Sequence, residues 1–343
     1  MSVETPSWDI LANYESAELV RQQFRKRHGG TLNAGKAREI CAAFVQARGY
    51  MESARAADRN VRPLLAYYGV LSLSRALTLF LSPRLREAGL AQSHGLSVDS
   101  WGEELSRERG DVGALTIKLS SQGTFQQLLA ATEYKSHLRS NSSRPNFTVA
   151  FDPLPPDTHF TLADLLSRLP EIRTVYERWR GPPTMIGMWP QKRRPDGSME
   201  IRVDFGGYDG VKAIFGELEI CEPTSVLHFV LPAGKGMPHV SDAGGAWDIG
   251  NLVAMPAFPG DFAFSKIGTA FVVSYALGML VRYYPSHWVG MLHNQRHDAA
   301  LPSLMAALKH VEEDFPRFVV EFLEVPTDEG GSGREEDPAP DHT

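Results

Sequence analysis

The sequence predicts an α+β protein, with N- and C-terminal helical layers packed on a central, largely antiparallel sheet. Three observations lead there. Apolar residues recur at helical spacing through the first third of the chain, an alternating run bounded by turn residues occupies the middle, and helical spacing returns from about Phe262 to Leu323. The expected organisation is one body over 1–326, helical over 1–110, mixed β over 111–260 and helical again over 261–326, followed by a disordered acidic tail at 327–343.

The first helix is expected over Ala17 to His28, where Leu19, Val20 and Phe24 share a side and Gly29-Gly30 ends the run. A second follows from Ala34 to Arg48, with Ala37, Ile40, Cys41 and Phe44 in register and Gly49 as its stop. The third starts at Arg62-Pro63, since proline suits a first helical turn whose amide has no partner. Leu115, Ile117 and Leu119 alternate with Thr116 and Lys118 as in a half-buried strand. Thr161 is a good helix N-cap, with Asp164 favourably placed in the positive first turn, and a further helical face runs from Glu171 to Trp179.

The clearest hairpin lies between Thr184 and Phe205, where Met185 to Trp189 leads into Pro195-Asp196-Gly197 and then into an alternation carried by Met199, Ile201, Val203 and Phe205. Ser225 to Leu231 reads as one more strand. Pro232 to Gly260 is rich in glycine and proline, has no sustained period, and reads as a long loop of the kind that carries function. Helices are then expected from Phe262 to Tyr284, Ser286 to His297 and Leu301 to Leu323.

Composition narrows the function classes. Hydrophobic residues make up 43% and charged ones 22%, enough to build a core. The formal charge is -6, but the tail alone carries Asp328, Glu329, Glu335, Glu336, Asp337 and Asp341 against Arg334, so the body before it is close to neutral. A nearly neutral body gives no global attraction to nucleic acid or anionic membrane. Two distant cysteines, Cys41 and Cys221, make no disulfide framework and fit a reducing compartment, and the N-terminus lacks a secretory pattern, so a cytoplasmic location is expected. The longest uncharged run, Ile267 to Val281, falls short of the ~20 apolar residues that span a bilayer and reads as a buried helix, so no membrane partner is expected.

Four clusters stand out in order along the chain: Arg62-Pro63-Leu64-Leu65-Ala66-Tyr67-Tyr68-Gly69, His94-Gly95-Leu96, Gly123-Thr124-Phe125, and Arg282-Tyr283-Tyr284-Pro285 with Trp288. With these landmarks the chain resembles the YaaC-like family over nearly the whole body. The resemblance implies an intracellular bacterial protein and supplies no mechanism. A ligand- or partner-binding accessory role follows as the first expectation, with Arg62, Tyr68, His94 and His239 as candidate ligand-binding residues and an unidentified small molecule or protein as partner. Tyr67 and Tyr68 bring apolar area with a polar tip, and Arg62 can stack or pair with a carboxylate, so packing alone also accounts for that cluster.

The alternative is catalytic. Arg282 and His287 have the spacing of the HEPN superfamily of helical ribonucleases, in which arginine steadies the charge on phosphorus and histidine moves the 2′-hydroxyl proton without a metal. RNA is the substrate under that reading, with toxin or phage-defence roles to match. Against it, Pro285 interrupts the motif, and Arg282 can simply cap a helix C-terminus.

Other motifs are weaker. Gly30 to Ala37 misses a phosphate-binding P-loop because Ala37 replaces the hydroxyl residue that holds magnesium, and a charged helix rather than a buried strand precedes it. His293 and His297 have zinc spacing, yet Asn294 stands where a metalloprotease needs glutamate, so no metal site is assigned. No Gly-x-Ser-x-Gly elbow and no dinucleotide fingerprint occurs, and no cofactor is assigned. His228, His239, Asp242 and Asp248 form the remaining acid–base set, and Lys192, Arg193 and Arg194 a basic turn.

Overall fold

Helical periodicity becomes twelve α-helices among the described residues: α1 Pro6–Leu11, α2 Ala17–His28, α3 Ala34–Ala56, α4 Arg62–Leu81, α5 Trp101–Ser106, α6 Thr124–Ala131, α7 Leu162–Leu166, α8 Arg173–Arg180, α9 Gly207–Phe215, α10 Lys266–Tyr283, α11 Pro285–Leu292 and α12 Leu301–Glu324. The structure is a computed structural model and describes residues 6–99, 101–106, 110–142, 144–155, 157–221, 226–235, 237, 239–243 and 251–325. The expected acidic tail at 327–343 lies outside these residues.

Helix ends follow local chemistry. The Ser16 hydroxyl caps α2, and Gly29 ends it in the left-handed region at φ +66°. Thr161 and Asp164 form a reciprocal capping box at the start of α7. One expected stop is corrected: α3 continues through Gly49 to Ala56, because Met51 and Ala54 extend its buried stripe and Gly49 sits on the open side. The P-loop-like Lys36 is also accounted for, since its ammonium is buried and donates to the carbonyls of Ser82 at 2.5 Å and Pro83 at 2.7 Å, closing the C-terminal end of α4.

The larger core is helical. α4 is buried along most of its length and packs against α3, α10 and α12, with Tyr67, Leu73, Leu77 and Phe271 among the fully enclosed side chains. By length and apolarity α4 could cross a membrane, but 67% of its most apolar window is buried in this core, as expected of a core helix. α4 and α10 approach so closely at Gly278 that a Cβ there would stand 2.7 Å from the Tyr67 Cβ. Gly278→Ala is therefore expected to destabilise the fold by about 1–3 kcal/mol through overpacking, despite alanine's better helix propensity. Urea denaturation checks this, and a variant as stable as the parent would show that the contact gives way freely.

Among the described residues ten strands form three sheets: β1 Leu96–Val98, β2 Thr116–Leu119, β3 Lys135–Leu138, β4 Phe147–Ala150, β5 His159–Thr161, β6 Ile186–Arg193, β7 Met199–Phe205, β8 His228–Leu231, β9 Val240–Ala243 and β10 Asn251–Ala254. The orders are β1-β2-β5, β3-β4 and β8-β7-β6-β10-β9, with every pairing antiparallel. The five-stranded sheet carries a second core around Ile186, Met188, Ile201, Phe229 and Leu252, closed by Val211 and Phe215 of α9.

The expected long loop from Pro232 to Gly260 is corrected, because it contains the β9–β10 hairpin. Two features hide it in the sequence. The inward residue of β9 is the charged Asp242, which breaks the apolar alternation, and β10 is a four-residue run whose Leu252, Val253 and Ala254 are all buried, too short to show a period. The arrangement otherwise matches the expected α+β class, with helices at both ends of the chain and antiparallel strands between them.

Candidate functional site: an aromatic cleft backed by buried charges

On α12 the residues His310, Asp314, Arg317 and Glu321 fall on one face, each three or four positions after the last. That face points inward, toward Lys266 at the start of α10, Asp242 on β9 and Arg139 just beyond β3. Lys266 Nζ lies 2.9 Å from Asp242 Oδ1 and 2.8 Å from Glu321 Oε2. Arg317 reaches Asp314 and Glu321 at 2.9 Å each and Asp242 at 3.5 Å, while Arg139 meets Glu321 at 2.9 Å. The side chains of Lys266, Asp242, Arg317, Glu321 and Arg139 are at most 7% exposed. Three cations and three carboxylates thus compensate one another away from water. Such a set is costly to bury and holds together because every charge has an opposite neighbour.

Beside this network opens a cleft of about 500 Å³, counted to its mouth. Phe151, Phe258, Phe264 and Phe318 give it aromatic walls, and Arg168, Glu171, His239, Lys266 and His310 bring polar groups to it. Arg168 stacks on Phe258 with its guanidinium carbon 4.0 Å from the ring centre. Its hydrogen bonds go only to neutral oxygens, the carbonyls of Asp164, Pro256 and Ala257 and the Ser167 hydroxyl. Its positive charge therefore stands beside the cleft with no carboxylate of the described residues in hydrogen-bonding reach. The N-terminal end of the 18-residue α10 points at the same place and adds the positive end of its dipole.

His310 stands between two carboxylates, with Nδ1 2.8 Å from Asp314 and 3.7 Å from Glu171. Burial resists charging of the imidazole, but Glu171 and Asp314 outweigh it and raise its pKa above the ordinary value. Burial also works against the Asp314 charge, yet His310 and Arg317 prevail and pull its carboxyl down to about 2. Glu171 behaves oppositely: desolvation dominates and raises its pKa, with His310 pulling the other way. In Asp242 the opposing cost of burial is overcome by Lys266 and Arg317, so its carboxyl stays below the usual range. Perturbed groups of this kind, gathered at an aromatic cleft, mark a functional-site candidate.

The structure distributes the residues expected from sequence over three places. His239 alone of the candidate ligand residues lines the cleft, in the left-handed region at φ +59°, with burial lowering its imidazole pKa so that it is neutral at physiological pH. Tyr68, His94 and Arg282 gather elsewhere: Arg282 donates to Tyr68 Oη at 3.3 Å, Tyr67 Oη lies 2.5 Å from His94 Nδ1, and the two tyrosine rings are 5.7 Å apart. Arg62 belongs to neither group and forms a two-pronged ion pair with the buried Glu312 of α12.

Arg282 and His287 have different partners. α10 and α11 meet at a bend of 102° after Tyr283, and His287 packs on Tyr284 near Arg296 and His297 while Arg282 turns to Tyr68 and Tyr283. The acid–base set also separates, with His228 on β8 at the far edge of the sheet from β9, Asp242 held in the network, and Asp248 outside the described residues. His293 and His297 follow the end of α11, not one helical face, and no group of three metal-type ligands occurs among the described residues. The α12 stripe was in plain view in the sequence, but alternating charge at helical spacing ordinarily signals a solvated face. Only Pro316 within the stripe and the apolar residues flanking it hint at burial.

These features define an α+β protein with an aromatic, positively biased cleft at the junction of its helical body and its largest sheet. The chain belongs to the YaaC-like protein family, whose match covers residues 12–205 and 248–323. No curated protein and no solved structure matches it. Lys266, His310, Glu171, Arg168 and Arg317 lie inside the matched segments, whereas His239 and Asp242 fall in the interval between them.

Proposed function

We propose that this YaaC-like chain is an intracellular ligand-binding protein whose cleft takes a small aromatic anion, such as a ring bearing one carboxylate or phosphate. The observation that carries this reading is the coincidence of aromatic walls with a guanidinium that no carboxylate of the described residues hydrogen-bonds, at the positive end of α10. The phenylalanines would receive the ring, Arg168 and the helix end would attract the charge, and the His310 imidazole would offer a hydrogen bond at the same wall. Glu171 stays protonated more readily than an ordinary carboxyl, which lessens repulsion of an anion at the same wall. The two free cysteines fit a reducing compartment.

The expected result is that a thermal-shift panel of aromatic carboxylates and phosphates contains members that raise Tm, as a ligand of the native state must. At a hundred times its Kd such a ligand adds about 2.7 kcal/mol. His310→Gln is expected to weaken the same ligands. A panel that leaves Tm unchanged at millimolar concentration, or ligands that bind His310→Gln as well as the parent, would remove this assignment.

A further inference from the structure

The four sequence clusters that carry the family resemblance meet at the end of α10 remote from the cleft. Tyr67 and Tyr68 come from α4, His94 and Gly95 from the segment before β1, Gly123 from the start of α6, and Arg282 and Tyr283 from the last turn of α10. The Gly95–Gly123 contact admits no side chain: a Cβ on Gly123 would stand 2.1 Å from the Gly95 Cα. This contact holds the His94 segment against α6. His94 is then fixed from two sides, by Tyr67 Oη at Nδ1 and by the Tyr275 ring 5.6 Å away, whose own hydroxyl donates to the Leu96 carbonyl at 2.8 Å. Its Nε2 has no partner among the described residues.

In front of this imidazole lies an arrangement that packing does not require. Arg282 is exposed and makes no ion pair among the described residues, and its one hydrogen bond goes to Tyr68 Oη instead of the carbonyls that end α10. Its guanidinium lies 5.1 Å from the centre of the Tyr283 ring, and Tyr283 is 58% exposed, the most exposed large apolar side chain among the described residues. On the other side Tyr68 stacks on Tyr50 at 5.5 Å, and both rings are half-buried. An uncompensated guanidinium fork flanked by aromatic faces, with an open imidazole nitrogen behind it, suits a phosphate attached to a flat ring. A lone inorganic anion would leave the aromatic faces unused.

We propose that Arg282, Tyr68, Tyr283 and His94 form a second ligand site, for a nucleotide phosphate, with Arg282 and His94 Nε2 on the phosphate oxygens and a tyrosine face against the base. It is independent of the cleft: Lys266 and Arg282 stand sixteen residues apart on one helix, roughly 24 Å at 1.5 Å per residue. Mononucleotides and single-stranded RNA share this chemistry, and binding measurements separate them.

The test is fluorescence anisotropy with labelled AMP and with a labelled single-stranded oligoadenylate on the full chain, with unlabelled AMP, adenosine and inorganic phosphate as competitors. AMP is expected to bind and to be displaced by AMP more than about tenfold better than by adenosine or phosphate alone. Arg282→Gln and Tyr283→Ala, both at exposed positions, are each expected to lose about tenfold in affinity with Tm unchanged. AMP binding lost in Arg282→Gln and Tyr283→Ala but kept in His310→Gln belongs to this site, whereas the reverse pattern puts AMP in the cleft and overturns this proposal, so failure of the cleft assignment and failure of this one are distinguishable. Tighter binding of the oligonucleotide that is sensitive to the same two substitutions supports the site and identifies a strand as its ligand. No binding of either probe at millimolar concentration, or binding indifferent to both substitutions, overturns the proposal.

Discussion

Asp242→Ala is expected to cost about 3–5 kcal/mol. The reason is not the energy of its two ion pairs but what their removal leaves behind. Lys266 and Arg317 are at most 6% exposed and would share Glu321, already paired with Arg139, as their remaining common partner, while Asp314 serves Arg317 and His310. An excess positive charge would then sit in a largely dry, low-dielectric interior. Pairing the substitution with Lys266→Met removes that excess, so the double variant is expected to be more stable than Asp242→Ala alone. Urea denaturation of the parent, both single variants and the double variant closes the cycle. A double variant that loses the sum of the two single losses would mean that the charges do not compensate one another.

The second large effect is on the pH dependence of stability, and its sign differs between the two partners of one contact. Asp314 has its folded pKa lowered from 3.8 to about 2, so its contribution is present above its unfolded value and disappears as pH falls toward 2. The shift corresponds to about 2 kcal/mol. His310 is raised, so its contribution is complete below the unfolded value of about 6.5 and is lost as pH climbs through the higher folded value. Glu171 is raised by burial and acts in the same direction as His310, since the folded state keeps a proton that the unfolded chain gives up. Lys266, Arg317 and Arg139 are the basic side chains of the adjoining network, and Arg317 contacts Asp314 directly. The Asp314 and His310 contributions are therefore both present between roughly pH 4 and 6.5, the first failing below that window and the second above it. Denaturation midpoints from pH 2.5 to 9 test this with Asp314→Asn and His310→Gln. The gap between the parent and Asp314→Asn should narrow toward pH 2, and a gap that stays constant would refute the shifted carboxylate.

Much of the framework was legible in the sequence because it rests on local rules. The Ser16 cap, the Thr161–Asp164 box and the Pro195-Asp196-Gly197 turn each depend on residues within four positions of one another. The β9–β10 hairpin was not legible, because an inward aspartate looks like a loop residue until its cations are known, and those come from helices 24 and 75 residues further along. The candidate site was legible in part. His239 reaches the cleft, and Tyr68, His94 and Arg282 do converge, but as a separate group, and Arg62 is occupied by Glu312. The Arg282–His287 spacing assumed one continuous helical turn, and the bend before Pro285 removes that premise. The cleft itself is lined by Phe151, Glu171, Val240 and Phe318 from four regions of the chain, a grouping that no short-range pattern encodes.

The buried network also governs how the molecule can open. Asp242 belongs to the sheet, while its cations belong to the two longest C-terminal helices. Should the sheet lift away while the helices stay assembled, Lys266 and Arg317 would face each other with a carboxylate short, and a half-detached state would carry that electrostatic penalty without the reward of released chain entropy. Such intermediates are thereby disfavoured, and the helical and β cores are expected to melt in a single transition.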